Sequence, residues 1–155
     1  MTIDLAKEAR NKGIDYFLIS FVDLFGVMRA KLVPAAAIDD MARDGAGFAG
    51  FAAWLDMTPA DSDMFAVPDP SSLIQLPWRP NVGWLAADLH MDGKEVEHAP
   101  RNALKRVLKG AAEKGYRLKH GVECEYFLIT PEGDGLADAS DRQSKPCYDV
   151  AALMR

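Results

Sequence analysis

The sequence predicts an α+β fold, and three observations support that reading. Apolar runs of strand length alternate with segments of helical periodicity, the first two strands lie close enough to form a hairpin, and a helix followed by a strand opens after Pro100. The first helix is expected over residues 4–12, where Ile3, Leu5 and Ala9 recur at roughly helical spacing. Thr2 stands as its N-cap and Gly13 as its stop signal. Residues 16–22, Tyr-Phe-Leu-Ile-Ser-Phe-Val, are rich in β-formers and apolar enough for a buried strand. Asp23-Leu24-Phe25-Gly26 reads as a turn and residues 27–33 as the returning strand. Pro34 then takes a helix's first position, with Ala35, Ala36 and Ala37 carrying that helix to about Arg43.

The stretch from Asp44 to Ala53 differs from its surroundings. Glycines alternate with phenylalanine and alanine, so the backbone is permissive while the side chains stay apolar. With the Asp- and Pro-containing residues that follow, up to Pro68, it reads as one long loop, which in a compact domain is more often functional or interfacial than idle. Two further strands are expected over 72–76 and 82–91, the second closed by a turn at Asp92-Gly93-Lys94. Pro100 opens a helix that places Leu104, Val107, Leu108, Ala111 and Ala112 on one face and ends at Gly115. Residues 116–129 read as a strand, 130–145 as a loop rich in Gly, Asp and Ser, and 149–155 as the start of another helix. One helix and one strand after Pro100 do not make a domain, so they read as the first elements of something larger.

A chain of 155 residues with an ordinary apolar share can bury a proper core. Its net charge of -5 and scattered basic residues argue against a nucleic-acid binder. No apolar run is long enough for a membrane span, and the N-terminus lacks the layout of a secretion signal. Cys124 and Cys147 lack metal-ligand spacing and suit a reducing cytoplasm. His90, His98 and His120 also lack ligand spacing, and Trp54, Trp78 and Trp84 read as core or interface anchors.

The sharpest chemical feature is Gly121-Val122-Glu123-Cys124-Glu125-Tyr126-Phe127-Leu128-Ile129. On a strand, Glu123 and Glu125 share one face with Phe127 and Ile129, and Cys124 turns to the other to pack. Two carboxylates beside apolar neighbours are either solvated or compensated by a hard divalent cation such as Mg²⁺ or Mn²⁺. The spacing leaves both open.

This segment resembles the Gly-x-Glu-x-Glu-Phe-Phe strand of the glutamine synthetase family. Ala99-Pro100-Arg101 and the helix after it resemble that family's entry into its catalytic domain. Asp23-Leu24-Phe25-Gly26-Val27-Met28-Arg29-Ala30-Lys31 resembles its first hairpin, and Ser62-Asp63-Met64 with Pro68-Asp69 resembles a further block. The motifs occur in the family's order over essentially the whole chain. The resemblance implies a β-grasp N-terminal domain over residues 1–96 and the incomplete start of a catalytic α+β domain over 97–155. It also implies that Glu123 and Glu125 ligate Mg²⁺ or Mn²⁺ at separate metal sites. ATP would phosphorylate the γ-carboxylate of glutamate, and ammonia would displace phosphate from γ-glutamyl phosphate to give glutamine. The complete protein would be a ring-shaped homo-oligomer, a dodecamer, with each site lying between subunits. The chain itself would be an inactive fragment.

One departure bears on the amine. Classical members carry Phe-Asp-Gly-Ser-Ser where this chain has Phe48-Ala49-Gly50-Phe51-Ala52, so the acid that helps hold ammonium has become Ala49. Either Asp56, Asp61 or Asp63 substitutes, or the amine carries an apolar part that suits Ala49, Phe51 and Ala52. The sequence also resembles type III synthetases and γ-glutamylmethylamide synthetases, so methylamine is the alternative to ammonia. A different class of reading is a stand-alone β-grasp binding or regulatory module, which leaves the segment after Pro100 without sheet partners.

Overall fold

The computed structural model describes residues 3–53, 57–135 and 150. They fall into two compact units that divide after Leu118. In the first, α1 (Leu5–Lys12) is capped by Asp4, whose carboxylate accepts the Lys7 N–H at 2.8 Å. That is the work the sequence assigned to Thr2, which lies outside the described residues. Gly13 ends the helix as expected, in the left-handed conformation at φ 66°.

The hairpin β1 (Tyr16–Val22) and β2 (Met28–Pro34) forms with Tyr16 opposite Pro34 and Val22 opposite Met28. Its turn is organised by one carboxylate. Asp23 Oδ1 accepts the N–H groups of Phe25 and Val27, both at 2.9 Å, and Oδ2 accepts Arg29 Nε at 2.9 Å. Burial pushes this carboxyl up. The hydrogen bonds from Val27, Arg29 and Phe25, with the Arg29 charge, more than offset that and hold it below its ordinary value. A depressed folded-state value means stability that is fully present above about pH 4, where an unfolded aspartate ionises, and is lost as pH falls through the folded value. In urea titrations from pH 7 to pH 3, Asp23→Asn is expected to flatten the acid side of the stability profile. An unaltered slope would remove Asp23 as its source.

Pro34 ends β2 instead of opening a helix. A 3-10 turn over Ala35–Ala37 intervenes before α2 (Ile38–Asp44). The expected long loop after α2 contains two strands, β3 (Ala46–Phe48) and β4 (Met64–Pro68), with a 3-10 turn over Gly50–Ala53 between them. Gly45 makes the entry to β3 possible: its φ is 84°, and a Cβ there would stand 2.9 Å from Phe65 Cβ. The strand expected over 72–76 shortens to β5 (Ile74–Gln75) behind a 3-10 turn at Pro70–Ser72. Then β6 (Val82–Met91) forms with the expected limits, and Asp92 and Gly93, both at positive φ, return the chain to β7 (Lys94–Glu95).

The strand order is β2-β1-β6-β4-β3, with β5 and β7 also paired to β6. β1 and β6 run parallel and the other pairs antiparallel. This mixed sheet, with α1 and α2 supplying Leu5, Ala9 and Ile38 to the core, is the expected β-grasp fold. Phe17, Ile19, Ile38, Met64, Leu85 and Leu89 are fully buried at its centre.

α3 (Pro100–Glu113) opens at Pro100 as expected, but its attachment is polar. Buried Asn102 donates to Leu89 O at 2.7 Å and accepts the Leu89 N–H at 3.3 Å. Arg101 pairs with Asp88 at 2.9 Å and with Asp69, while Lys105 also pairs with Asp88. The apolar stripe foreseen for this helix is largely open: Leu104 and Val107 are exposed.

The strand expected over 116–129 does not form. Residues 116–128 carry no helix or strand, and in the second unit Ile129 makes a single bridge. An extended segment becomes a strand only when a neighbour takes up its N–H and C=O groups, and no neighbour among the described residues does so here. Thr130, Gly133 and Gly135 close a tight turn through backbone bonds of 2.9 and 3.0 Å. Most of the expected loop over 130–145, and the helix expected over 149–155 apart from Val150, lie outside the described residues. No helix among the described residues is long and apolar enough to cross a membrane.

Candidate functional site

The loop singled out by its lost acid sits where the two edges of the sheet approach each other. Cross-strand register puts Arg29 opposite Phe21 and Lys31 opposite Ile19, so both basic side chains start from the core-facing side of edge strand β2. From there Lys31 Nζ donates to Gly47 O on β3 at 2.6 Å and lies 5.5 Å above the Phe48 ring. Phe48 in turn meets Phe21 edge-to-face, with ring centroids 5.0 Å apart. Strands at opposite ends of the sheet order are thus tied together at this seam.

A cavity of about 220 Å³ opens at the seam, lined by Phe21, Arg29, Ala30, Phe48, Ala49, Ala52 and Ala53. Ala49 and Ala52 therefore face a common space, as the sequence suggested. Phe51 does not line it and is half exposed. Among the described residues the sole charged side chain in the lining is Arg29, whose charge is matched by buried Asp23.

Of the acids proposed to replace the missing carboxylate, neither Asp61 nor Asp63 lines this cavity. Asp61 is engaged in its own turn, accepting the Thr58 N–H at 2.6 Å and the Thr58 hydroxyl at 2.9 Å, which lowers its pKa. Asp63 is exposed just before β4, and Asp56 lies outside the described residues. Sequence reasoning missed Phe21, Arg29 and Lys31 as partners of the loop. The available signal was the alternation of Arg29 and Lys31 on one strand, which puts two cations on one face.

Glu123 and Glu125 are exposed on the extended segment, and Cys124 is exposed too, so it does not pack as expected. Among the described residues no group of three His, Cys, Asp or Glu side chains could hold a metal ion. The donor chemistry of Glu123 and Glu125 fits a hard cation, whose remaining oxygen ligands would have to come from outside the described residues. Trp78 is 79% exposed and so is not a core anchor, while Trp84 is partly buried on β6 and Trp54 lies outside the described residues. The sequence motifs around Asp69 and Arg101 prove to be partners, since these two side chains form an ion pair. Hydrogen bonds from the Ser71 side chain and from Arg101, with the Ser71 N–H and the Arg101 charge, lower the Asp69 pKa against the opposing effect of burial.

A β-grasp domain whose sheet edges meet at a seam, followed by a helix clamped at its N-terminus, defines the class. No protein-family model matches the chain. Relatives do: a glutamine synthetase of Rhizobium leguminosarum bv. phaseoli is 61% identical over 155 residues, all of this chain and 36% of that protein. A glutamate–methylamine ligase of Methyloversatilis universalis is 42% identical over 150 residues, 94% of this chain and 34% of that protein. A solved structure of GmaS in complex with ADP is 68% identical with a TM-score of 0.93, covering all of this chain and 36% of that one. The chain belongs to the glutamine synthetase family and corresponds to the N-terminal part of its members. It spans about a third of the length of the curated relatives it matches.

Proposed function

We propose that the full-length protein is an ATP-dependent ligase that joins methylamine to the γ-carboxylate of glutamate. The carrying observation is the lining of the seam cavity, which presents Phe48, Ala49, Ala52 and Ala53 and, among the described residues, no carboxylate. A small, strongly hydrated ammonium ion needs polar groups to replace its water, whereas a methyl group gains from apolar walls. The likeness to GmaS, a glutamate–methylamine ligase, supports the same amine. In the reaction, the glutamate carboxylate takes the γ-phosphoryl group of ATP, releasing ADP. The neutral amine nitrogen then attacks the acyl carbon, phosphate leaves, and the nitrogen loses one proton to give the amide. Glu123 and Glu125 would contribute carboxylates to Mg²⁺ or Mn²⁺, which when bound would screen the phosphate charge.

The second reading, glutamine formation from ammonia, is favoured by the name of the R. leguminosarum relative and of a second one from Rhizobium meliloti, 57% identical over the whole chain. Phosphate release by the full-length protein with glutamate, ATP and Mg²⁺ separates the two. Methylamine is expected to support the higher kcat/KM, and Ala49→Asp to shift preference toward ammonium. Higher turnover with ammonium would replace the first reading by the second, and no amine-dependent release would return the binding-module reading.

A further inference from the structure

We infer that Lys31 is a positioning residue for the amine: it fastens the 46–53 segment to the opposite edge of the sheet and so sets the shape of the seam cavity. The inference rests on the ligase reading above for its link to the amine, but not for the fastening itself.

Three observations converge on Lys31. Its ammonium donates to Gly47 O at 2.6 Å, a charge-assisted bond to the backbone immediately before the cavity wall. The same ammonium lies 5.5 Å over the Phe48 ring, whose edge-to-face contact with Phe21 continues into the core. The segment has few other restraints: β3 is three residues long, pairs only with β4 among the described strands, and is followed by a short 3-10 turn carrying Ala52 and Ala53. Phe48, Ala49, Ala52 and Ala53 form one wall of the cavity, and Phe21, Arg29 and Ala30 from β1 and β2 form the other. Lys31 stands on β2 and bonds to β3, so it spans the two walls without lining the cavity. Removing it leaves the chemistry of the lining intact while freeing one wall to move relative to the other. Arg29, the other cation on this face, is directed to Asp23 through its Nε and not to Gly47.

Lys31→Met keeps the aliphatic stem and deletes the charge, and Lys31→Arg restores a cation able to reach a carbonyl and cover a ring. In the full-length enzyme, Lys31→Met is expected to raise amide hydrogen exchange over residues 46–53. It should also raise KM for the amine roughly five- to tenfold, the order expected for losing one solvent-exposed hydrogen bond. KM for ATP and for glutamate should stay put, and Lys31→Arg should recover most of both effects. Unchanged exchange over 46–53 would overturn the fastening, whatever the activity. Raised exchange with an unchanged amine KM would overturn the positioning role. If the unsubstituted enzyme shows no amine-dependent turnover, the ligase reading fails on its own, and hydrogen exchange still decides whether Lys31 fastens the segment.

Discussion

Phe17→Ala is expected to destabilise the first compact unit by about 3–5 kcal/mol, the usual cost of deleting a fully enclosed aromatic ring. Phe17 has no exposed surface and sits on β1, which is flanked by β2 on one side and β6 on the other. Its register partner on β6 is Gly83, and a Cβ built there would come within 3.1 Å of the Phe17 ring. The strand has given up a side chain to seat that ring, and Leu73, whose Cδ1 would stand 3.0 Å from the same Cβ, is the neighbour placed to fill part of the hole. Against a typical net stability of roughly 5–15 kcal/mol, the loss leaves little in reserve. Phe17→Leu, which keeps most of the volume, should cost about 1.5 kcal/mol or less. Urea unfolding followed by tryptophan fluorescence checks both variants. A loss below about 1 kcal/mol for the alanine variant would mean that the ring is not the keystone its burial indicates.

The other large effect concerns Glu125. In the full-length enzyme, Glu125→Ala should raise the Mg²⁺ or Mn²⁺ concentration needed for half-maximal phosphate release by at least tenfold. Losses of 10- to 100-fold already follow from removing groups that only support a ligand. Glu125→Asp, which shortens the reach but keeps the carboxylate, should fall between. Mn²⁺ binding by calorimetry gives a second measure that does not depend on turnover. An unaltered metal requirement would take Glu125 out of the site, and a change in turnover without a change in metal binding would assign it another role.

Much of the β-grasp fold was legible because its signals are local. Gly13 ends a helix by its backbone freedom, Pro100 starts one by its ring, and β6 matched its expected limits because Leu85, Ala87 and Leu89 alternate as buried apolar residues along it. β3 and β4 were missed because their existence depends on distant pairing. Ala46–Phe48 has weak strand propensity, and β4 is fixed by the opposition of Phe65 to His90 and Pro68 to Ala87. The reverse error fell on residues 116–129, where β-forming side chains are present but the described residues provide no ladder beyond the single bridge at Ile129. The site was legible to a similar degree. The lost acid at Ala49 marked the loop, while its closure by Lys31 depends on two sheet edges meeting, which no local pattern encodes.

The parallel pairing of β1 with β6 also sets a timetable for folding during synthesis. Tyr16 pairs with Val82, and Ser20 with Ala86, so the first strand emerges from the ribosome long before its central neighbour exists. Until then the β1–β2 hairpin holds Phe17, Ile19 and Phe21 on a face with no sheet to cover it. The seam closes later still in structural terms, because β3 reaches the sheet only through β4, and β4 only through β6. Nascent chains shorter than about ninety residues would therefore expose an apolar hairpin, making this stretch of translation the interval in which chaperone protection matters most.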